Sequence, residues 1–347
     1  MTKSFDASFS TELIAWQRAQ GRHDLPWQHD RTAYRVWLSE VMLQQTQVST
    51  VIERYQEMLH RFPSIFDLAN AHIDEVLAQW SGLGYYTRAR NLHLCAQRVV
   101  YDYGGVFPDT VEELQKLPGI GKSTAAAIAV FAYGKKAAIL DGNVKRVLAR
   151  IWGIEDDLSK AFHLKRLWSL AESLLPESEQ GLVPYTQGLM DFGATACTPA
   201  APICISRDAI CPFINHCVAF KLDRVLELPL KSKPIKVERL HMDWLVVCEQ
   251  GRFVLEKRQN RGIWEGLWCF PESLPFAWAE QERYSAIRHV LTHRRMSIQP
   301  IRVSPKSASL ELPDSYRWVS VEEAFALGLP KPVKDFLLRL SRVRDVS

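Results

Sequence analysis

At 347 residues, with 47% hydrophobic, 24% charged and 10% aromatic residues, the chain has a globular composition and length enough for two domains. Its most apolar stretch, AAAIAVFAY (125–133), is too short to cross a bilayer, and MTKSFDASFSTELIAW at the start lacks the features of a secretory signal, so no membrane partner and a cytoplasmic, thiol-reducing location are expected. Residues 229–347 carry 20 Lys and Arg against 14 Asp and Glu, and the remainder 23 against 25; this balance permits a nucleic-acid partner without demonstrating one.

Val41, Val48, Val51, Ile52, Tyr55 and Leu59 recur at helical spacing and predict helix across residues 34–59. VEELQKL (111–117) and STAAAIAVFAYG (123–134) predict two more helices, joined by the tight turn PGIGK. In AAILDGNVKRVLAR (137–150) an aspartate, Asp141, is placed to cap a helix that begins near Asn143. LELPLKSKPIKVER (226–239) is charged, holds two prolines and reads as an interdomain linker. Beyond it the period changes. WLVVC (244–248) and FVLEKR (253–258) predict a hairpin, RMSIQPIRV (295–303) and YRWVS (316–320) predict strands, and PVKDFLLRLSRV predicts a closing helix. The expectation is an all-helical region to about residue 225, then an α+β domain.

Three features carry chemistry. Cys197, Cys204, Cys211 and Cys217, four of the seven cysteines, lie in the spacing C-x6-C-x6-C-x5-C. Clustered thiols in a reducing compartment more often bind metal than form disulfides. No pair has the short C-x2–4-C spacing usual for zinc, so the spacing favours an iron–sulfur cluster over zinc, with four separate buried cysteines as the bland reading. LPGIGKSTAAAIA (117–129) sets Gly119 and Gly121 in a turn before a helix N-terminus, where free N–H groups and Lys122 suit a phosphate; G-x-G alone fits a plain helical corner better. Glu40 lies among Leu38, Val41, Met42 and Leu43, where desolvation would raise its pKa. A protonated glutamate beside an ionised aspartate such as Asp141 is the pair that cleaves glycosyl bonds, although pattern alone favours Glu40 on a solvated face.

The hairpin LPGIG, the aspartate of LDGNVKR and the four cysteines together resemble the helix–hairpin–helix DNA glycosylases. SEVMLQQTQV, SGLGYYTRARNL and LDGNVKRVLAR are similar to the adenine DNA glycosylases of the MutY type, and the similarity runs over nearly the whole chain. The resemblance implies a multidomain protein: an all-α helix–hairpin–helix core, followed by an α+β Nudix-like domain. The core would comprise a six-helix barrel (29–135) and an iron–sulfur lobe (1–28 and 136–228). Residues 229–240 would be the linker and 241–347 the Nudix-like domain.

The implied activity is removal of adenine opposite 8-oxoguanine or guanine from double-stranded DNA by a monomeric, bacterial, nucleoid-associated enzyme. Glu40 and Asp141 would be catalytic, with Ser123 near them, and Trp27, Gln28 and Gln187 would line the adenine pocket. Gln45 and Tyr85 would wedge the base stack, and Gly119, Gly121 and Lys122 would contact DNA. The four cysteines would hold a [4Fe–4S] cluster; the family spacing C-x6-C-x2-C-x5-C implies a four-residue insertion between Cys204 and Cys211. Endonuclease III, the rival of similar fold, nicks DNA through a lysine amine where this chain has Ser123 in GIGKSTAA; base excision without strand cutting is therefore expected. A cluster-bearing damage sensor without catalysis is a third reading.

GIWEGLWCFPE (262–272) resembles the start of a Nudix box, with Gly266 and Glu272 in place. Glu280-Gln281 and Tyr284-Ser285 stand where Arg-Glu and Glu-Glu are needed, leaving too few carboxylates for magnesium. The resemblance instead implies 8-oxoguanine recognition, with Leu291-Thr292-His293 at the family's Phe-Ser-His loop; Thr292 and His293 are the expected reading residues.

Overall fold

A computed structural model describes residues 2–205, 210–230, 237–259, 262–291, 293–306 and 312–344. Fourteen described α-helices run in the order α1 (Thr2–Gln20), α2 (Ala33–Leu43), α3 (Val48–Arg61), α4 (Ile65–Asn70), α5 (Ile73–Gln79), α6 (Thr87–Tyr103), α7 (Val111–Leu114), α8 (Lys122–Tyr133), α9 (Gly142–Trp152), α10 (Ala161–Ser173), α11 (Glu179–Asp191), α12 (Val218–Lys221), α13 (Val321–Phe325) and α14 (Lys331–Arg344), with a 3-10 turn at Pro26–Gln28 and a π-helical turn at Phe192–Ala196. The strands are β1 (Glu238–Glu249), β2 (Arg252–Lys257), β3 (Trp268–Cys269), β4 (Trp278–Arg283), β5 (Ile287–Leu291), β6 (Arg294–Pro305) and β7 (Tyr316–Val319). No helix among the described residues is long and apolar enough to cross a membrane.

By internal contacts the chain forms two units, Met1–Gln56 with Cys95–Pro234 and Glu57–Leu94 with Ile235–Ser347. The helix expected across 34–59 is two helices. Gln45 adopts φ 56° and breaks it between α2 and α3, a left-handed conformation that a helix interior does not accommodate. The apolar spacing survives because both halves bury a face.

In the first unit α2 packs on α8, whose Ala125, Ala126 and Ala129 are fully buried and let the backbones approach. α8 begins at Gly121 and ends in a left-handed Gly134, and α9 begins at Asp141 and ends in a left-handed Gly153. A side chain at Gly153 would meet Val218 Cγ1 at 2.4 Å, so glycine is required for closeness as well as for φ. α1 packs along α11, and the core between them includes Phe9, Leu13, Tyr185, Leu189 and Phe192.

In the second unit the sheet order is β3-β2-β1-β6-β4, with β5 also pairing β6 and β7 pairing β2. β1 and β6 run parallel from Glu238↔Arg294 to Val247↔Val303, and the other pairings are antiparallel. The predicted hairpin, later strands and closing helix are all present, but β1 starts at Glu238, inside the stretch read as linker. Residues 57–94 are tied to this unit by Lys257 with Asp74 (3.0 Å) and by the Tyr86 hydroxyl, which donates to the Leu329 carbonyl (2.8 Å). Downstream of Glu272, the register of a Nudix box falls on β4. Its Glu280 lies on an exposed strand and pairs with Arg283.

Candidate active site

The Thr32 side chain caps α2 by accepting from the Arg35 N–H, and Val36, Trp37, Leu38, Val41 and Met42 bury the helix. That packing fixes the direction of Glu40, which opens onto a cavity of about 150 Å3 lined also by Trp27, Gln28, Arg31, Asp141, Asn143 and Gln187. Its carboxyl is pushed up to about 8, first by burial away from water and then by the charge of Asp141. The solvated face that pattern alone favours is thus not where Glu40 lies.

Asp141 caps α9: its carboxylate accepts the Val144 N–H at 2.8 Å and the Asn143 side-chain amide at 3.4 Å. The cap sets both the start of the helix and the orientation of the carboxylate. Ser123 sits differently from a cavity group. Its hydroxyl accepts the Leu140 N–H at 3.0 Å, bracing the residue before Asp141, and it is not among the cavity-lining residues.

Trp27 is buried edge-on against Tyr55. Gln28 is held at both ends of its amide: its oxygen accepts the Leu25 N–H at 3.2 Å and its nitrogen donates to the Arg22 carbonyl at 3.0 Å. Gln187, on α11, donates to Asp191 at 3.1 Å. Arg31 lies over the Phe131 ring, and burial lowers its pKa. Arg22, Arg31 and Asp191 carry no local sequence signal, because their placement depends on segments far apart in the chain; Asn143 enters the cavity beside Asp141, at the start of the helix that Asp141 caps.

Gln45 and Tyr85, the two expected wedges, both have positive φ, 56° and 48°. Tyr85 is 43% exposed, and the Arg88 guanidinium lies over its ring. Non-glycine residues in this region are uncommon, and where the fold holds them there they mark candidate functional positions. Gly119 has φ 77°, and nothing lies within 4 Å of where a Gly121 side chain would start. The α8 N-terminus is accordingly open on that side. Lys122 lies over the Trp168 ring and pairs with Glu172 at 2.9 Å, both partners exposed, an ion pair weak enough to exchange for a phosphate.

The four cysteines line one small apolar cavity with Phe192, Phe213 and Val225. Cys197, Cys211 and Cys217 are buried and Cys204 is half-buried. Burial, with one another's charge, raises Cys204 and Cys217 and pushes Cys211 up to about 12. Beside them Arg150 is 2% exposed. It donates to the Cys197 sulfur and to the carbonyls of Thr198, Pro199 and Leu228. Arg146 joins this lobe to the start of α9, donating to the Cys197 carbonyl (2.8 Å) and to the Asn143 side chain (2.8 Å). Among the described residues no three His, Cys, Asp or Glu side chains converge on one ion position. Residues 206–209, where the insertion is expected, lie outside the described residues.

Within the second unit, Tyr85, Trp264, His289, Leu291 and His293 line a cavity of about 750 Å3. The His293 carbonyl accepts the Glu238 N–H at 3.0 Å, while its side chain is exposed. Thr292 lies outside the described residues.

Residues 38–172 match the HhH-GPD superfamily of base excision DNA repair proteins, and residues 243–339 match the NUDIX domain. The chain is 34% identical to an adenine DNA glycosylase of Buchnera aphidicola subsp. Baizongia pistaciae, over 96% of this chain and 97% of that protein. It is 43% identical to the Homo sapiens adenine DNA glycosylase, over 61% of this chain and 39% of the human protein. Among solved structures, a thermostable thymine-DNA glycosylase superposes at TM-score 0.57 with 30% identity, covering 64% of this chain and 99% of that one. An endonuclease III–DNA complex superposes at 0.54 with 22% identity, covering 64% and 98%, and shares the fold. A helical HhH-GPD core, a C-terminal Nudix-like domain built on a mixed sheet, and full-length similarity to the bacterial enzyme lead to one assignment: the chain belongs to the adenine DNA glycosylases, a family of DNA repair hydrolases acting on N-glycosyl bonds.

Proposed function

We propose that the chain releases adenine from duplex DNA where adenine lies opposite 8-oxoguanine or guanine, and leaves the strand intact. The observation that carries this reading is a glutamate, its pKa pushed up to about 8, in the same cavity as the aspartate that caps α9. The scissile bond is out of reach in the stack, so the nucleotide must first flip out. Glu40 then gives its proton to the adenine ring, and the C–N bond breaks with the electron pair leaving on a neutral base. Asp141 offsets the positive charge left on the sugar. Glu40, now ionised, takes a proton from the water that adds to the sugar, which restores the starting state.

Trp27, Gln28 and Gln187 would hold the base, Gln45 and Tyr85 would fill the stack, and Gly119, Gly121 and Lys122 at the α8 N-terminus would hold a phosphate. Ser123 would act by bracing Asp141 rather than on the substrate. It is not an amine, which favours simple hydrolysis over a Schiff-base lyase. Thr292 and His293 would read 8-oxoguanine. The chain would comprise a barrel (29–135), a cluster lobe (1–28 and 136–228) and a Nudix-like domain whose first strand, β1, starts at Glu238, and would act as a monomer in the bacterial cytoplasm.

Cys197, Cys204, Cys211 and Cys217 would hold a [4Fe–4S] cluster. The donor set suits it: four thiols around one cavity without carboxylates, and a buried Arg150 cation to offset the charge of four thiolates. The cluster would order the segment that carries it; the chemistry stays with Glu40 and Asp141.

The test is single-turnover release of adenine from duplexes with adenine opposite 8-oxoguanine or guanine, before and after alkali. Wild type should release adenine and nick only after alkali, and Glu40→Gln should be slower by about 10^3-fold, within the usual worth of a general acid. Nicking without alkali, with borohydride trapping, would indicate the lyase. Tight binding with no release would indicate the sensor, and an unchanged rate in Glu40→Gln would remove Glu40 from the mechanism.

A further inference from the structure

A glutamine amide has a donor end and an acceptor end of nearly the same shape, so a pocket that reads a base with glutamine must settle which end faces in. Gln187 lies on α11, four residues before Asp191, so the two side chains share one helix face. Asp191 is fully buried on that helix, which continues past it into the π-helical turn Phe192–Ala196, and a buried carboxylate needs partners that replace its lost hydration. It is held there by Arg22. Oδ1 accepts the Arg22 Nε–H at 2.7 Å and lies 2.7 Å from Nη2 of the same guanidinium, and Oδ2 accepts the Arg22 backbone N–H at 3.0 Å. A carboxylate occupied in this way only accepts. Its remaining partner, Gln187, must therefore present nitrogen to it, and does so at 3.1 Å.

We propose that Asp191, locked by Arg22, is a positioning residue that fixes the Gln187 amide with its oxygen toward the cavity. The cavity then presents an acceptor to a purine that carries an exocyclic amine. An adenine amino group donates to that oxygen. Hypoxanthine would set its own carbonyl oxygen against it, and unsubstituted purine would offer it nothing. Gln28 is locked independently by the Leu25 N–H and the Arg22 carbonyl, so both amides at the cavity have a fixed polarity. The inference rests on reading this cavity as the base pocket.

The test compares single-turnover rate constants for duplexes carrying adenine, hypoxanthine or purine at the target position. The readout is their ratio within each protein, which does not depend on the fraction that is folded. Asp191→Asn frees the Gln187 amide to turn over, and the adenine-to-hypoxanthine ratio should fall by at least about tenfold. In the double variant Gln187→Glu/Asp191→Asn the asparagine donates to a side chain that can only accept, and the ratio should return to within about threefold of wild type. A purely structural role for Asp191 slows all three substrates alike. Wild-type adenine release with the ratio unchanged in Asp191→Asn, or no recovery in the double variant, overturns the inference and leaves the base-pocket reading standing. No adenine release from wild type overturns both.

Discussion

At the scale of single residues, Glu40 and Asp141 divide the labour through their surroundings. Glu40 is raised to about 8 chiefly by burial, so the folded state holds a proton that the unfolded chain loses near the ordinary value of 4.5. Between these two values the native state binds more protons, and stability falls as pH rises. Glu40→Gln removes that dependence. It should therefore be more stable than wild type, by a margin that grows from about pH 4.5 to 8 and reaches about 2–4 kcal/mol. Denaturant melts at pH 5 and pH 8 measure it; equal margins at the two pH values would mean that Glu40 ionises normally. Asp141 offers a cleaner separation. Asparagine caps a helix as well as aspartate does, so Asp141→Asn should keep the α9 cap and melt within about 1 kcal/mol of wild type. It should lose about 10^2–10^3-fold in single-turnover rate, because the charge facing the sugar is gone. A variant that loses stability and rate together would make Asp141 a cap alone.

At the scale of elements, the legible parts of the fold were those written in local patterns. The PGIGK turn, the α9 cap and the hairpin at Glu249–Arg252 each need particular residues at adjacent positions, and each is found where the sequence places it. The break at Gln45 was not legible, because the apolar spacing continues across it. Glu40 and Asp141 stood out by type and context, whereas Arg22, Arg31 and Asp191 did not. Their partners lie in other elements, as in the 169-residue separation of Arg22 from Asp191. Arg150 was hidden for the same reason. On α9 it satisfies carbonyls from the cysteine segment and from Leu228 at once. Arg150→Leu would leave several buried acceptors without donors, and a loss of about 3–5 kcal/mol is expected. Chemical denaturation reads the loss. Iron per chain should fall with it if the same segment carries the cluster, and a variant of wild-type stability would refute the structural role.

At the scale of the whole molecule, the candidate site residues divide between the two units: Glu40 and Asp141 lie in the first, and Leu291 and His293 in the second. In the second unit β4 stands where the Nudix box would continue, and Glu272 and Glu280 are paired with Arg258 and Arg283. What this unit offers is the large cavity beside Leu291 and His293. The His293 backbone is fixed to β1 through Glu238 while its ring stays exposed, the arrangement expected of a reading group on a rigid frame. None of the groups lining the Glu40 cavity belongs to this unit. His293→Ala should therefore leave the single-turnover rate on adenine opposite guanine within about twofold of wild type. It should lower the preference for 8-oxoguanine over guanine by about tenfold, the worth of one or two polar contacts. Rates on the two duplexes, measured side by side, decide it. A preference that does not move would place recognition of the opposite base elsewhere, and equal slowing on both would make His293 a general DNA contact.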